Sequence, residues 1–110
     1  MEAVSDQRRI VRHIVLVKFR ADATAEQRAE FIRRSQWSRQ ADYVSGYVCG
    51  SGVQPNPYAS SKTDEWDWGM TLDLDEADVE RYKDDPVHRA VGPDVGQYAE
   101  RYAILNFVVD

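Results

Sequence analysis

The ten residues from Ile10 to Phe19, IVRHIVLVKF, constrain the fold more than any other stretch of the chain. They are rich in β-branched side chains, which suit a pleated strand. Successive side chains of a strand point to opposite faces. One face then carries Val11, His13, Val15, Val17 and Phe19, and the other carries Ile10, Arg12, Ile14, Leu16 and Lys18. Both faces are apolar at their centre, so the strand reads as one covered on both sides.

Thr24 follows, with Gln27 three residues on. This is capping-box spacing, in which the hydroxyl takes an N–H of the first helical turn and the glutamine answers it. It predicts a helix from Ala25 to about Gln40. Ala25, Ala29, Ile32 and Ser35 or Gln36 would form its inner stripe, with Phe31 beside it. The stripe is thin, as if it lay over a cavity. Gly46 restarts the chain into a second strand, about Tyr47 to Gln54. Residues 54–63, QPNPYASSKT, have turn chemistry throughout. A third strand is expected from Trp66 to Leu74, where Trp66, Trp68, Met70, Leu72 and Leu74 alternate with other residues and share one side. Asp75 would cap a short helix over Glu76 to Lys83. Pro86 breaks that helix and can open another at its first position. The second piece is expected to reach about Arg101, interrupted near Gly92 and Pro93, and a last strand to run from Ala103 to Val109.

Residues 1–9 read as a flexible polar tail with no apolar core of a secretory signal, and residues 10–110 as one domain. The order β-α-β-β-α-β is the ferredoxin-like plan, an α+β fold with a four-stranded antiparallel sheet and helices on one face. One such unit leaves a sheet face bare. Two units facing each other cover both faces, so a homodimer is expected.

Composition narrows the function classes. A chain of 110 residues supports one core. The net charge is −5, and the stretch from Asp64 to Asp85 holds ten acids against Arg81 and Lys83. A phosphate backbone is repelled by such a segment, so no nucleic-acid partner is expected. Apolar runs are only a few residues long, far from the roughly 20 of a membrane span, so no membrane partner is expected either. Cys49 is the only cysteine. It suits a reducing cytoplasm and reads as a small core residue. The two histidines, His13 and His88, lie far apart without ligand spacing, so no metal site is expected. Gly46, Gly50 and Gly52 are in the wrong company for a dinucleotide loop. The expectation is therefore no cofactor.

Several strings are similar to the stress-responsive A/B-barrel (Dabb) family. The opening Val11-Arg12-His13-Ile14-Val15-Leu16-Val17-Lys18-Phe19 resembles that family's first strand, and Thr24-Ala-Glu-Gln27 resembles the start of its first helix. Tyr82-Lys-Asp-Asp-Pro86-Val-His88 resembles its Tyr-x-x-His-Pro-x-His signature, and the chain closes on a similar strand. The resemblance covers about residues 10–110 and implies a dimeric α/β barrel. The family is functionally mixed. It includes the plant olivetolic acid cyclase, which closes a linear polyketide without a cofactor, a plant hydroxynitrile lyase, and stress-associated oligomers. The resemblance to cyclase-like members implies that His88 acts as base and Tyr82 polarises a carbonyl. It places His13 in the pocket on strand one and Asn106 at a polar position used in the lyase. Asp85 replaces the usual histidine before the proline, Trp68 stands where the cyclase has a third pocket histidine, and Ser35 falls near its guarding aromatic.

The residue types suit that chemistry. An imidazole titrating near pH 6.5 is a natural general base for a C–H or O–H proton, and a phenol can hydrogen-bond a developing enolate. On one unbroken helix Tyr82 and His88 would point about 120° apart; the break at Pro86 lets them converge. The reading is a cofactor-independent cyclase or lyase acting on a polyketide-like or other carbonyl-containing small molecule. His88, Tyr82 and His13 are its catalytic candidates, and Asn106, Val15, Val17, Trp68, Ile32 and Ser35 its substrate-binding candidates. A non-catalytic small-molecule-binding oligomer and a cofactor-free oxygenase of a phenolic compound stand as alternatives.

Overall fold

In the computed structural model, which describes residues 8–61 and 65–110, strand β1 (Ile10–Phe19) lies inside a four-stranded sheet. It is followed by α1 (Ala25–Ser35), a 3₁₀ turn (Gln36–Gln40), β2 (Val44–Ser51) and β3 (Trp68–Asp75). A second 3₁₀ turn (Glu76–Asp78) leads into α2 (Val79–Asp84), α3 (Pro86–Val91), α4 (Pro93–Tyr98) and β4 (Ala99–Val108). The sheet order is β2-β3-β1-β4 with antiparallel neighbours throughout. This is the ferredoxin-like α+β fold. Of the expected tail, residues 1–7 lie outside the described residues. The Arg9 carbonyl accepts from Glu76 N at 2.8 Å, so residue 9 is already tied to the fold.

Register explains the two unlike faces. Val11, Val15, Val17 and Phe19 turn to one side of β1 and join Trp68, Met70, Leu72 and Leu74 of β3 in the core. Phe31 of α1 and Tyr82 of α2 complete that core from the helix layer. Phe31 meets Phe19 and Trp68 edge-on, with centroids 5.4 and 5.5 Å away. Among the described residues no helix covers the other face: Val48, Leu105 and Phe107 are 64, 55 and 40 % exposed there.

Both reciprocal bonds of the capping box form at Thr24 and Gln27. The inner face of α1 differs from the expected stripe. Ala25 and Ala29 are exposed, and Phe31 is the buried residue. A large aromatic gains far more from burial than a methyl, so it sets the rotation of the helix. The α-helix also stops at Ser35 and tightens into the 3₁₀ turn rather than running to Gln40.

The starts of three strands move, and β2 also ends early, at Ser51 rather than about Gln54. Strand β2 starts at Val44 and takes Gly46 into a bulge, where φ is +63° and the register shifts between Ser45 and Val48. Glycine holds that backbone without a Cβ penalty. Strand β3 starts at Trp68, and Trp66 falls before it. Trp66 does not share the side of Trp68: it lies under the Arg101 guanidinium at 4.2 Å, and Arg101 pairs with Lys18 on the open face. The backbone there is so close to Gly52 that a Cβ on Gly52 would meet the Trp66 carbonyl at 1.8 Å. Strand β4 starts at Ala99, earlier than expected, because Tyr98 O already accepts from Arg20 N and Ala99 pairs with Phe19.

Leu72 is fully buried between the sheet and the helices. Leu72→Ala should cost about 2–5 kcal/mol, against about 1 kcal/mol for loss of the cap in Thr24→Ala. Urea unfolding of both variants measures the order and the gap.

Candidate functional site

A cavity of about 560 Å³ lies between the sheet and the helices. Its sheet wall is built by alternation. His13 and Val15 of β1 sit in register with Asn106 and Ile104 of β4, so all four turn to the helix side. Trp68, Met70 and Leu74 of β3 continue the wall, and Tyr82 of α2 and His88 of α3 close it from above. Tyr102 and Ile104 line the cavity and are more than half exposed, so solvent reaches its β4 wall.

The polar groups are concentrated around one phenol. Tyr82 is 5 % exposed. Its ring centroid lies 5.1 Å from that of His13 and 4.9 Å from that of His88. Trp37 stacks on it at 5.2 Å with planes 26° apart, and is 5.9 Å from His88. The helix break makes this convergence possible. Asp85, with φ −56° and ψ 130°, ends α2 and starts α3, and Pro86 occupies the first position of α3.

Both imidazoles have a carbonyl oxygen within hydrogen-bond distance of Nδ1. His13 Nδ1 lies 2.7 Å from Asn106 Oδ1, and His88 Nδ1 lies 3.0 Å from the Lys83 carbonyl. Each oxygen can only accept, so each Nδ1 carries a hydrogen, and in the neutral ring Nε2 is the atom left with the lone pair. Burial holds His13 below the ordinary histidine pKa and outweighs the Asn106 bond, while a charge on His88 pushes in the same direction as burial. Burial pushes the Tyr82 phenol up to about 12, partly offset by the nearby Ser38 hydroxyl. Tyr82 therefore stays protonated near neutrality and can donate. Ser38 Oγ and Trp68 Nε1 are buried with no hydrogen-bond partner of good geometry among the described residues.

Most sequence candidates come together here. His13, Val15, Ser35, Trp68, Tyr82, His88 and Asn106 all line the cavity. Val17 and Ile32 do not. Val17 is fully buried beside Trp68 in the register and next to Phe19 on its face, both of which pack on Phe31. Ile32 is half-buried against the core outside the lining, because Phe31 holds the inward position of α1. Trp37 was not among the sequence candidates. It lies off the 3.6-residue stripe that continues from Phe31 through Ser35 to Ser38, and it faces the cavity because the chain tightens into a 3₁₀ turn. Among the described residues no three His, Cys, Asp or Glu side chains cluster as metal ligands would, and no helix is long and apolar enough to cross a membrane.

The fold resembles a dimeric ferredoxin-like protein of unknown function from Thermobifida fusca, 23% identical, with a TM-score of 0.75 over 94% of this chain and 93% of that one. It resembles the hydroxynitrile lyase of Passiflora edulis, 17% identical, with a TM-score of 0.77 over 92% and 94%. A Dabb family protein with a ferredoxin-like fold from Mesorhizobium loti is 18% identical, with a TM-score of 0.72 over 93% and 98%. At these identities the likeness speaks to fold alone. No curated protein matches the sequence significantly. The sequence profile of the Stress responsive A/B Barrel Domain matches residues 11–109, nearly the whole chain. The chain belongs to the stress-responsive A/B barrel (Dabb) family.

Proposed function

We propose that this chain is a cofactor-independent cyclase or lyase acting on a polyketide-like or other carbonyl-containing small molecule. The observation that supports it is the pair of imidazoles in ring contact with one buried phenol, on the wall of a mostly apolar cavity. In this reading Nε2 of His88 takes a proton from a C–H or O–H beside the reacting carbonyl. The Tyr82 hydroxyl donates to the oxygen on which charge develops, and its raised pKa keeps that donor available. The His88 imidazolium then returns the proton when the new C–C bond has formed or the old one has broken. His13, held by Asn106, is the second base in reach. A 560 Å³ cavity is within the ordinary range for a small-molecule site, about 300–1,000 Å³. The fold likeness to a hydroxynitrile lyase is compatible with the lyase form of this chemistry. The setting in this reading is the cytoplasm, where Cys49 stays reduced.

The working unit in this proposal is a homodimer. The bare sheet face with Val48, Leu105 and Phe107 is the apolar surface that a second copy would cover. Relatives of the same fold are described as dimeric. Sedimentation at micromolar concentration should give twice the 12.6 kDa chain mass, and Leu105→Glu should shift it toward one chain. A wild-type protein that sediments as a single chain would contradict this.

Turnover can be screened on aryl and alkyl cyanohydrins and on linear β-polyketone thioesters. On any substrate turned over, His88→Ala should lower the rate by about 10²–10⁴-fold with the fold and dimer intact. Tyr82→Phe should cost less, since it removes one donor and keeps the ring. Wild-type activity in His88→Ala would sink the assignment of the base.

The depressed pKa of His13 gives a pH signature of its own. The unfolded chain binds this proton more readily than the folded one. The stability from neutral His13 should therefore be complete above about pH 6.5 and lost as pH falls through the lower folded value. Urea midpoints across the acid range, compared with those of His13→Gln, measure it. Identical pH slopes in the two proteins would contradict the burial argument.

A further inference from the structure

Helix α2 carries Tyr82, α3 carries His88, and one extended residue, Asp85, joins them. With so short a joint, whatever grips Asp85 sets the angle between the helices and hence the spacing of the two rings. Its Oδ1 accepts from Val87 N at 2.9 Å and caps α3. Its backbone carbonyl accepts from Arg89 N at 2.9 Å. Its Oδ2 accepts from the Tyr43 hydroxyl at 2.7 Å. The Tyr43 bond comes first among the causes that hold the Asp85 carboxyl below the ordinary carboxylate range, so the acceptor is charged and the bond is of the stronger kind.

Tyr43 lies just before β2 and does not line the cavity. Its ring is covered by the Arg81 guanidinium at 3.9 Å. Arg81 belongs to α2, so one tyrosine holds both α2 and the joint that leads to α3. The His88 Nδ1–H···O bond to Lys83 spans that same joint, from α3 back to α2. Any change in the angle between the helices must stretch that bond, and with it the preference that leaves the lone pair on Nε2.

We propose that Tyr43 is a positioning residue: through Asp85 it fixes the direction of α3, keeps the His88 ring against Tyr82, and keeps the His88 hydrogen on Nδ1. The consequence for turnover rests on His88 being the base, while the consequence for its geometry does not.

The test uses the ¹⁵N-labelled full chain, in which long-range NMR reports each histidine's tautomer. Tyr43→Phe removes one hydroxyl and should convert His88 from a single Nδ1–H form to a mixture. His13, anchored on the sheet by Asn106, should stay as it is and serves as the internal control. Asp85→Asn keeps one oxygen for the cap and turns an amide N–H to the Tyr43 oxygen, which can accept it, and should retain the wild-type signature. Asp85→Ala should reproduce the Tyr43→Phe result. On a turned-over substrate Tyr43→Phe should lower kcat by about fivefold with KM unchanged, the size of one lost hydrogen bond. A folded Tyr43→Phe protein with the wild-type His88 tautomer overturns the proposal. A mixed tautomer in Tyr43→Phe together with full activity in His88→Ala would instead uphold the positioning and remove the catalytic reading.

Discussion

Burial of one face of β1 is the constraint on which the rest of the structure depends. Val15, Val17 and Phe19 can leave water only if β3 supplies Trp68, Met70 and Leu72 beside them and the helices close over both strands. That packing fixes the register with β4 as well, and so sets His13 opposite Asn106. A slip of one residue would turn His13 to the open face and expose the whole core row. The histidine's position in the cavity is therefore enforced by several buried apolar side chains rather than by its own hydrogen bond.

The helix layer solves a different problem. Four α-helices and two 3₁₀ turns lie on one side of the sheet among the described residues, and the cavity is between them and the sheet. Tyr82 contributes to the core and lines the cavity at once. Its ring is packed by Trp37 and the imidazoles, while its hydroxyl is kept protonated by the burial that packing creates. Asp85 carries the cost of the break: it leaves helical geometry, and its side chain then satisfies the exposed N–H of the next helix and accepts from Tyr43.

Much of this was legible in the residues, for local reasons. Ile10–Phe19 announces a strand through β-branching and alternation, Thr24 and Gln27 announce a helix start, and Pro86 announces a break; each signal acts over a few residues. The cavity residues His13, Tyr82, His88 and Asn106 followed from the same local signals joined to a family resemblance. What escaped depends on partners distant in sequence. The inner face of α1 is set by Phe31 meeting Phe19 and Trp68. Trp37 enters the cavity only because a helix tightens. Val17 and Val15 share a face, yet only one meets empty space, and that depends on where Phe31 sits. The early start of β4 depends on pairing with the end of β1.

The central claim is that this cavity moves protons next to a carbonyl group. Its most direct test needs no knowledge of the natural substrate. A small aryl methyl ketone in D₂O, incubated with the full chain, should gain deuterium at the carbon beside the carbonyl faster than in buffer containing free imidazole at the same histidine concentration. Deuterium uptake no faster than that background, from a ketone that NMR shows seated among the rings of Tyr82 and His88, would contradict the account.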